Sequence, residues 1–263
     1  MKPVRYVLMN PTGNLTTLVI SPVQPRERPA VTAALLPRCE QVGYLGVPKT
    51  AGSRLSLRMM GGEFCGNASM AAAAFLCRET GLSAGQEMEM RLDVSGARSP
   101  VPCRIRTLGA DLWEGTVAMP PVREIAETEL AGERLILVRL EGITHLIRQG
   151  EPMEQGRAES LLRRASEILP GPALGLLQWD AAANRMQPLV FVRESDSMVW
   201  ETGCGSGSTA IGAWQALLRR EPVCETDVLQ PGGCLRVRTE LKNGFPDQIS
   251  ISGKVNFVEE GVL

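Results

Sequence analysis

The chain has 263 residues, 44% of them hydrophobic, which is enough for about two domains with apolar cores. Its 28 Lys and Arg residues nearly balance 29 Asp and Glu residues, leaving a formal net charge of −1. A surface this close to neutral offers no field for nucleic-acid phosphates or anionic lipids, so we expect neither nucleic acid nor a membrane as a partner. The apolar run at residues 70–77 is far shorter than the ~20 residues of a membrane-spanning helix. Because the N-terminal residues also lack a signal-peptide core, we expect a cytoplasmic protein.

Taken in chain order, the sequence predicts many short strands and few helices. Residues 29–36 form a short helix candidate, residues 55–60 are strand-like, and Glu87–Val94 alternates apolar and polar residues as a half-buried strand does. Residues 157–169 place their apolar side chains on one helix face and end before a Pro-Gly-Pro segment. Further strand-like segments follow at residues 198–200, 235–238 and 248–251. This mixture predicts an α+β fold, not a parallel sheet wound from βαβ units.

The cysteines and the histidine restrict the chemistry. The seven cysteines include no C-x-x-C pair, which argues against a disulfide framework and a structural zinc site, so we expect no metal. His145 is the only histidine, so enzyme sites that need several histidines or a Cys-His or Ser-His pair are disfavoured. We expect His145 to be a packed or hydrogen-bonded structural residue. Five cysteines are expected to be inert core or surface residues: Cys39, Cys77, Cys103, Cys224 and Cys234.

An internal repeat is the most informative feature of the sequence. Residues 65–75, CGNASMAAAAF, match residues 204–214, CGSGSTAIGAW, at the Cys, the Gly, the Ser, two Ala and the final aromatic residue. Each copy follows strand-like sequence and a short turn and opens a helix of small residues. Two copies of one domain explain this pattern. We predict one domain at residues 1–119 carrying Cys65 and a second at residues 120–263 carrying Cys204, with the last residues able to return to the first domain.

Two cysteines at two helix starts indicate acid–base chemistry. The N-terminus of a helix carries unpaired N–H groups and a partial positive charge, which lower the pKa of a thiol placed there toward neutrality. The following N–H groups can also bind a substrate carboxylate. The residues that supply those groups are Gly66, Asn67, Gly205 and Ser206.

If the two helix starts meet at one cleft, a thiolate and a thiol face each other across a bound amino acid. The thiolate would remove the α-proton from one face and the thiol would return a proton to the other, with no cofactor. A nucleotide-binding loop at residues 203–207 is the alternative, but it lacks the third glycine of G-x-G-x-x-G and the lysine of a P-loop.

These residues resemble the diaminopimelate epimerase family of cofactor-independent racemases and epimerases, over nearly the whole chain. The segment Met-Asn-Pro-Thr-Gly-Asn resembles the family's N-terminal motif and points to Asn14 as a substrate contact, and the Glu40–Gln41 pair resembles the family's Asp-Gln pair. Residues 63–67 and 204–207 are similar to its two cysteine motifs, and residues 230–233 to its late Pro-Gly-Gly turn. The resemblance implies catalytic roles for Cys65 and Cys204 and a substrate-binding role for Gln41.

Departures from the family pattern bear on the substrate. The Glu-Arg pair and Gly-Glu-Thr stretch of diaminopimelate epimerases are replaced by Glu201-Thr202-Gly203, which runs directly into Cys204, and an Asn before the first cysteine has no counterpart. The shortened pattern resembles the histidine racemases that supply D-histidine for opine-type metallophores. On this reading Glu40 and Glu201 are candidates to bind the substrate's ammonium or imidazole group.

The resemblance implies two pseudo-symmetric domains, each a mainly antiparallel sheet or barrel around a central helix that starts at a cysteine, and it suggests a homodimer. The expected partner is a small amino acid. Two alternatives stay open: a diaminopimelate epimerase or racemase of another amino acid, and a catalytically silent binding or scaffold protein of the same fold.

Overall fold

A computed structural model describes residues 3–263 of the chain. The helices are α1 (Arg28–Leu35), α2 (Gly66–Glu79), α3 (Gln155–Ile168) and α4 (Gly205–Arg219). The strands are β1 (Arg5–Pro11), β2 (Thr16–Val19), β3 (Gln41–Gly46), β4 (Leu55–Met59), β5 (Glu87–Val94), β6 (Val101–Gly109), β7 (Leu112–Ala118), β8 (Val122–Leu130), β9 (Glu133–Leu140), β10 (Thr144–Gln149), β11 (Ala173–Asp180), β12 (Arg185–Val192), β13 (Ser197–Trp200), β14 (Val223–Gln230), β15 (Gly233–Lys242) and β16 (Phe245–Val262). Among residues 3–263, none of the helices combines the length and the apolar composition that crossing a bilayer needs.

The residues group into two compact units by their contacts. The first comprises the described residues up to Ala118 together with Ser252–Leu263, and the second comprises Met119–Ile251. Strand β16 therefore contributes its first part to the second unit and its last part to the first. Each unit encloses its own buried helix, α2 in the first and α4 in the second.

The first unit is an eight-stranded closed barrel around helix α2. Its strands follow the order β1-β2-β3-β4-β5-β6-β7-β16, and antiparallel pairing of β1 with β16 closes the ring. Helix α2 packs against β1, β2, β4, β5, β6 and β7. Its residues 66–74 are buried on every side, which explains why this helix is built from alanine and other small residues. Close approach of β7 reinforces the point, since a Cβ added at Gly115 would lie 3.0 Å from the Met70 side chain.

The second unit wraps a curved sheet around helix α4. The strand order is β16-β15-β14-β12-β11-β10-β9-β8, with β13 paired to β12. Helix α4 packs against β14 and β15 near one end of this order and against β8, β9 and β10 at the other, so the sheet encloses it. Helix α3 packs on the outside of β11 and β12, where Leu161, Leu162 and Ala165 join a separate apolar cluster.

The predicted α+β class is confirmed, because antiparallel neighbours dominate the sheet and parallel neighbours are the minority. Most strand pairs are antiparallel; among residues 3–263, β2 and β3, β4 and β5, β10 and β11, and β12 and β14 are parallel neighbours. A helix lies between the two strands of each pair in the chain. Parallel neighbours need such a crossover, because a tight turn can only join antiparallel strands.

Candidate functional site

Cys65 lies at the entrance to helix α2 of the first unit. It is the N-cap residue, with extended backbone (φ −137°, ψ 115°), and its sulfur accepts a hydrogen bond from the Ala68 N–H at 3.4 Å. Intrahelical bonding begins at Ser69, whose N–H donates to the Cys65 carbonyl at 3.0 Å. Gly66 and Asn67 are the first two residues of the helix, so their N–H groups precede that bond, and we expect such groups to bind a carboxylate.

The structure joins three predicted polar residues of the first unit to Cys65. The Cys65 thiol donates to Gln41 Oε1 at 3.2 Å. Gln41 Nε2 donates to Thr16 Oγ1 at 2.8 Å and to Asn14 Oδ1. Asn14 Nδ2 in turn donates to a carboxylate oxygen of Glu40 at 2.8 Å. One hydrogen-bonded chain therefore runs from the Cys65 sulfur to the negative charge of Glu40.

The positions of these side chains follow from the barrel. Gln41 is the first residue of β3 and pairs with Thr16 in the parallel β2–β3 ladder, so their side chains are neighbours at the same end of the sheet. Asn14 lies in the turn before β2, and Glu40 immediately before β3. Thr16, which is fully buried at the start of β2, was not predicted from the sequence, because a threonine in a strand is not in itself a sign of function.

Cys204 has the same local geometry in the second unit. It is the N-cap of α4 (φ −116°, ψ 106°), and its sulfur accepts the Gly207 N–H at 3.3 Å. The Ser208 hydroxyl donates to the Cys204 carbonyl at 2.8 Å. Gly205 and Ser206, the first two helical residues, present their N–H groups at the helix start.

Gln230 secures the second helix start from the end of β14. Its Oε1 accepts the Cys204 N–H at 2.6 Å, and its Nε2 donates to Ser208 Oγ at 3.0 Å. In the sequence, residues 230–233 indicate only a turn, because a glutamine ending a strand carries no motif of its own. Its side chain fixes both the backbone and the first turn around Cys204.

The Cys204 thiol does not have the lowered pKa that the sequence analysis expects. The side chain is buried, and burial raises its pKa well above the ordinary value because the interior disfavours the thiolate. The Glu201 carboxylate raises the pKa further, by its charge and by accepting a hydrogen bond, whereas Ser206 and the Gly207 N–H oppose the rise. Glu201, for which we predict a substrate contact from the sequence, acts on the Cys204 thiol.

His145 reaches this helix start from strand β10. It is completely buried, and its Nε2 lies 2.9 Å from Ser206 Oγ, which is 3.5 Å from the Cys204 sulfur. Burial lowers the pKa of His145 to about 3, so the imidazole is neutral near pH 7. The residue is packed and hydrogen-bonded, as the sequence analysis expects, but its partner could not be identified from the sequence.

Each unit therefore presents one cysteine at a helix start, next to N–H groups that can bind a carboxylate and beside side chains that can accept or donate protons. Within residues 3–263, no cluster of three or more His, Cys, Asp or Glu side chains is arranged to hold a metal ion. The chemistry that these groups offer is proton transfer by thiol and thiolate, next to a bound anion.

Comparison with known proteins connects this arrangement to racemases. The model of the family described as "Histidine racemase CntK N-terminal domain" matches residues 3–263. A histidine racemase of Staphylococcus aureus is 28% identical over 270 residues, which cover 98% of this chain and 96% of the relative. A histidine racemase of Fusobacterium nucleatum is 29% identical over 266 residues, which cover 97% and 95% of the two chains.

Solved structures share the fold at low sequence identity. A hydroxyproline epimerase from Agrobacterium vitis, with bound trans-4-hydroxy-L-proline, matches with a TM-score of 0.75 and 15% identity, covering 100% of this chain and 92% of the other. A PhzF family protein from Bacillus anthracis matches with a TM-score of 0.74 and 13% identity, covering 100% and 99%.

Proposed function

This chain belongs to the histidine racemase CntK N-terminal domain family, and we propose that it interconverts L- and D-histidine by a two-base mechanism without a cofactor. Its family and its relatives make it an isomerase of the racemase and epimerase class that acts on a small amino acid. The observation that carries the mechanism is the pair of cysteines, each the N-cap of a buried helix and each with an N–H donor to its sulfur.

The proposed reaction transfers two protons. At its end the two cysteines have exchanged protonation states. One thiolate takes the α-proton of histidine and becomes a thiol, and the electron pair of the broken C–H bond stays on the substrate as a carbanion. The other cysteine donates its thiol proton to the opposite face of that carbon and becomes the thiolate. The mechanism requires both sulfurs to reach one α-carbon from opposite faces, and the pair titrates as a unit that holds one proton.

Substrate binding in this proposal uses the helix starts and the polar chain of the first unit. The N–H groups of Gly66 and Asn67, and of Gly205 and Ser206, would bind the substrate carboxylate and stabilise the negative charge that develops next to it. Glu40, held by Asn14, would bind the substrate ammonium or imidazole through a charge-assisted hydrogen bond. Glu201 would keep Cys204 protonated until the carbanion forms, since its carboxylate stabilises the thiol.

A substrate panel tests the proposal. Single L-amino acids, including histidine, proline and LL-diaminopimelate, are incubated with the protein, and the enantiomers or epimers are separated by chiral chromatography. We expect D-histidine to accumulate to an equal mixture and the other substrates to react far more slowly. Turnover of diaminopimelate alone would overturn the substrate assignment, and no turnover of any amino acid by the folded protein would favour a binding role.

The proposal extends to the setting of the enzyme. We infer that the two units are copies of one ancestral domain, that the protein is a cytoplasmic homodimer, and that its D-histidine supplies an opine-type metallophore. Its seven cysteines, all within residues 3–263, form no disulfide, which suits a reducing compartment. Light scattering on the eluting protein should give twice the 28.5 kDa chain mass; the mass of a monomer would contradict the dimer.

A further inference from the structure

His145 takes no part in the mechanism proposed above, although it is the only histidine in the chain. It lies on β10, beside the start of α4, and Nε2 has a polar neighbour in Ser206 Oγ at 2.9 Å. The other ring nitrogen, Nδ1, is buried and has no hydrogen-bond partner within residues 3–263. A neutral imidazole carries one N–H proton. The nitrogen that holds it determines whether the Ser206 hydroxyl accepts a hydrogen bond from Nε2 or donates one to it.

The packing of the ring decides the tautomer. His145 pairs with Gly175 in the parallel β10–β11 ladder, and a Cβ added at Gly175 would lie 2.6 Å from the ring Cε1 and closer still to Nδ1. Nδ1 therefore faces the Cα of a glycine. A proton there would be a buried donor with no acceptor, whereas a bare lone pair facing a C–H group costs little. The proton belongs on Nε2.

This tautomer fixes the direction of the next hydrogen bond. With Nε2–H donating to Ser206 Oγ, the hydroxyl must direct its own proton elsewhere. The Cys204 sulfur lies 3.5 Å from Ser206 Oγ, where it can accept this proton, and it already accepts the Gly207 N–H at 3.3 Å.

We propose that His145 is a positioning residue, which orients the Ser206 hydroxyl so that its proton points at the Cys204 sulfur. Whenever Cys204 is a thiolate, it then meets two donors that are already in place, Ser206 O–H and Gly207 N–H. Preorganised donors stabilise a developing charge without a cost of reorientation at the moment of proton transfer. The inference rests on the proposed function, in which Cys204 cycles through the thiolate.

The residues around Cys204 and His145 are consistent with an oriented Ser206 hydroxyl. Glu201 faces Cys204 and raises its pKa, so the thiolate needs compensating donors. Neutral residues pair with His145 on both sides, Val138 on β9 and Gly175 on β11, and burial alone accounts for the lowered pKa of its imidazole. The imidazole therefore acts as a fixed neutral donor.

The tautomer can be read directly, because a protein labelled with ¹⁵N-histidine gives the signals of this one ring. We expect a protonated Nε2 and an unprotonated Nδ1, unchanged between about pH 5 and about pH 8, where an unperturbed histidine would titrate. The Ser206→Ala variant should shift the Nε2 signal and leave the tautomer unchanged. A protonated Nδ1, or a doubly protonated ring in that range, would overturn the proposal whether or not the protein has racemase activity.

Kinetics test the effect on Cys204. We expect Ser206→Ala and His145→Leu each to lower kcat/KM about tenfold and to move one limb of its bell-shaped pH profile upward by about one unit, because the thiolate loses the same donor. The double variant should be no worse than either single variant. His145→Gln, which keeps an N–H near the Nε2 position, should restore most of the activity lost in His145→Leu.

Additive losses in the double variant, or an unchanged pH profile in Ser206→Ala, would overturn the positioning role. If His145→Leu does not fold, the Ser206→Ala profile and the ring spectrum still decide the matter. If the wild-type protein racemises no amino acid, the proposed function fails, while the ring spectrum still reports on the tautomer.

Discussion

The sulfur atoms of Cys65 and Cys204 each cap a helix, and in the proposed mechanism the same atoms move protons. These two roles can be separated, because serine is a strong N-cap residue but a far weaker acid than cysteine. We expect Cys65→Ser and Cys204→Ser to fold normally, with free energies of unfolding within about 1 kcal/mol of the wild type. Racemisation should fall at least about a hundredfold in each, since one of the two acid–base groups is lost.

The matched control is Cys234→Ser, which alters an exposed thiol on β15. Its racemisation rate should equal that of the wild type in the same chiral assay. Equal rates in all three variants would exclude thiol catalysis, and a loss confined to one of the two capping cysteines would argue for a single base.

His145 gives the protein an acid sensitivity that can be assigned to one side chain. Its pKa is about 3 in the folded protein against an ordinary value of 6.5, so between these values the unfolded chain binds a proton that the folded chain does not. The contribution of this imidazole to the free energy of unfolding is therefore fully present above pH 6.5 and is lost as the pH falls toward 3. The loss amounts to as much as about 1.4 kcal/mol per pH unit.

Chemical denaturation at a series of pH values measures this slope. We expect His145→Gln to be less stable than the wild type at neutral pH but to have a flatter dependence on pH below 6.5. The two proteins share every other titratable group, so their difference isolates the imidazole. Parallel curves for the two proteins would mean that the histidine is not held neutral.

The packing of the β10–β11 pair depends on the absence of a side chain at Gly175. We expect Gly175→Ala to displace the imidazole of His145 and to cost about 1–3 kcal/mol, the usual range for overpacking a core. Activity should fall as the contact with Ser206 is lost. The matched control is Gly46→Ala at the end of β3, where an added Cβ meets nothing within 4 Å. That variant should change stability by less than about 0.5 kcal/mol.

Two measurements test this comparison: the free energy of unfolding of both variants by chemical denaturation, and the ¹⁵N spectrum of the His145 ring. If Gly175→Ala is as stable as Gly46→Ala and its ring spectrum matches the wild type, the ring does not pack against the glycine as described.

Elements with a strong local pattern were predictable from the sequence. The alternating segment Glu87–Val94 is strand β5 with the predicted bounds, because one of its faces is buried and the other exposed. Helix α3 begins earlier than predicted, at Gln155, because Glu154 caps it by accepting the N–H groups of Gly156 and Arg157. Glutamate is not a preferred N-cap residue, so this helix start carries no recognisable signal at Glu154. The four parallel neighbours could not be located from the sequence, because the alternation of a strand is the same in parallel and antiparallel ladders.

For the whole molecule, the repeat of the two cysteine motifs indicated most of the candidate site. It predicted both helix starts, and the resemblance added Asn14, Glu40 and Gln41, which the barrel of the first unit connects to Cys65. The contribution of His145, Thr16 and Gln230 depends on strand register, and register is set by pairing between segments that are distant in sequence. The raised pKa of Cys204 was unforeseeable for a related reason, since burial depends on the packing of the whole unit.

The two-base mechanism assigns proton abstraction to the cysteine of one unit and proton donation to the cysteine of the other. A substitution of one residue therefore cannot test it fully. The most direct measurement follows the reaction of L-histidine in deuterated water, stopped at early turnover. The two enantiomers are separated, and the deuterium content of each is measured by mass spectrometry. The thiol that donates its proton has exchanged with solvent, whereas the one that abstracts receives the substrate's own hydrogen. The two-base mechanism predicts deuterium at the α-carbon of the D-histidine formed and protium in the L-histidine that remains. Deuterium in both enantiomers from the outset, or D-histidine that keeps the original hydrogen, would contradict it.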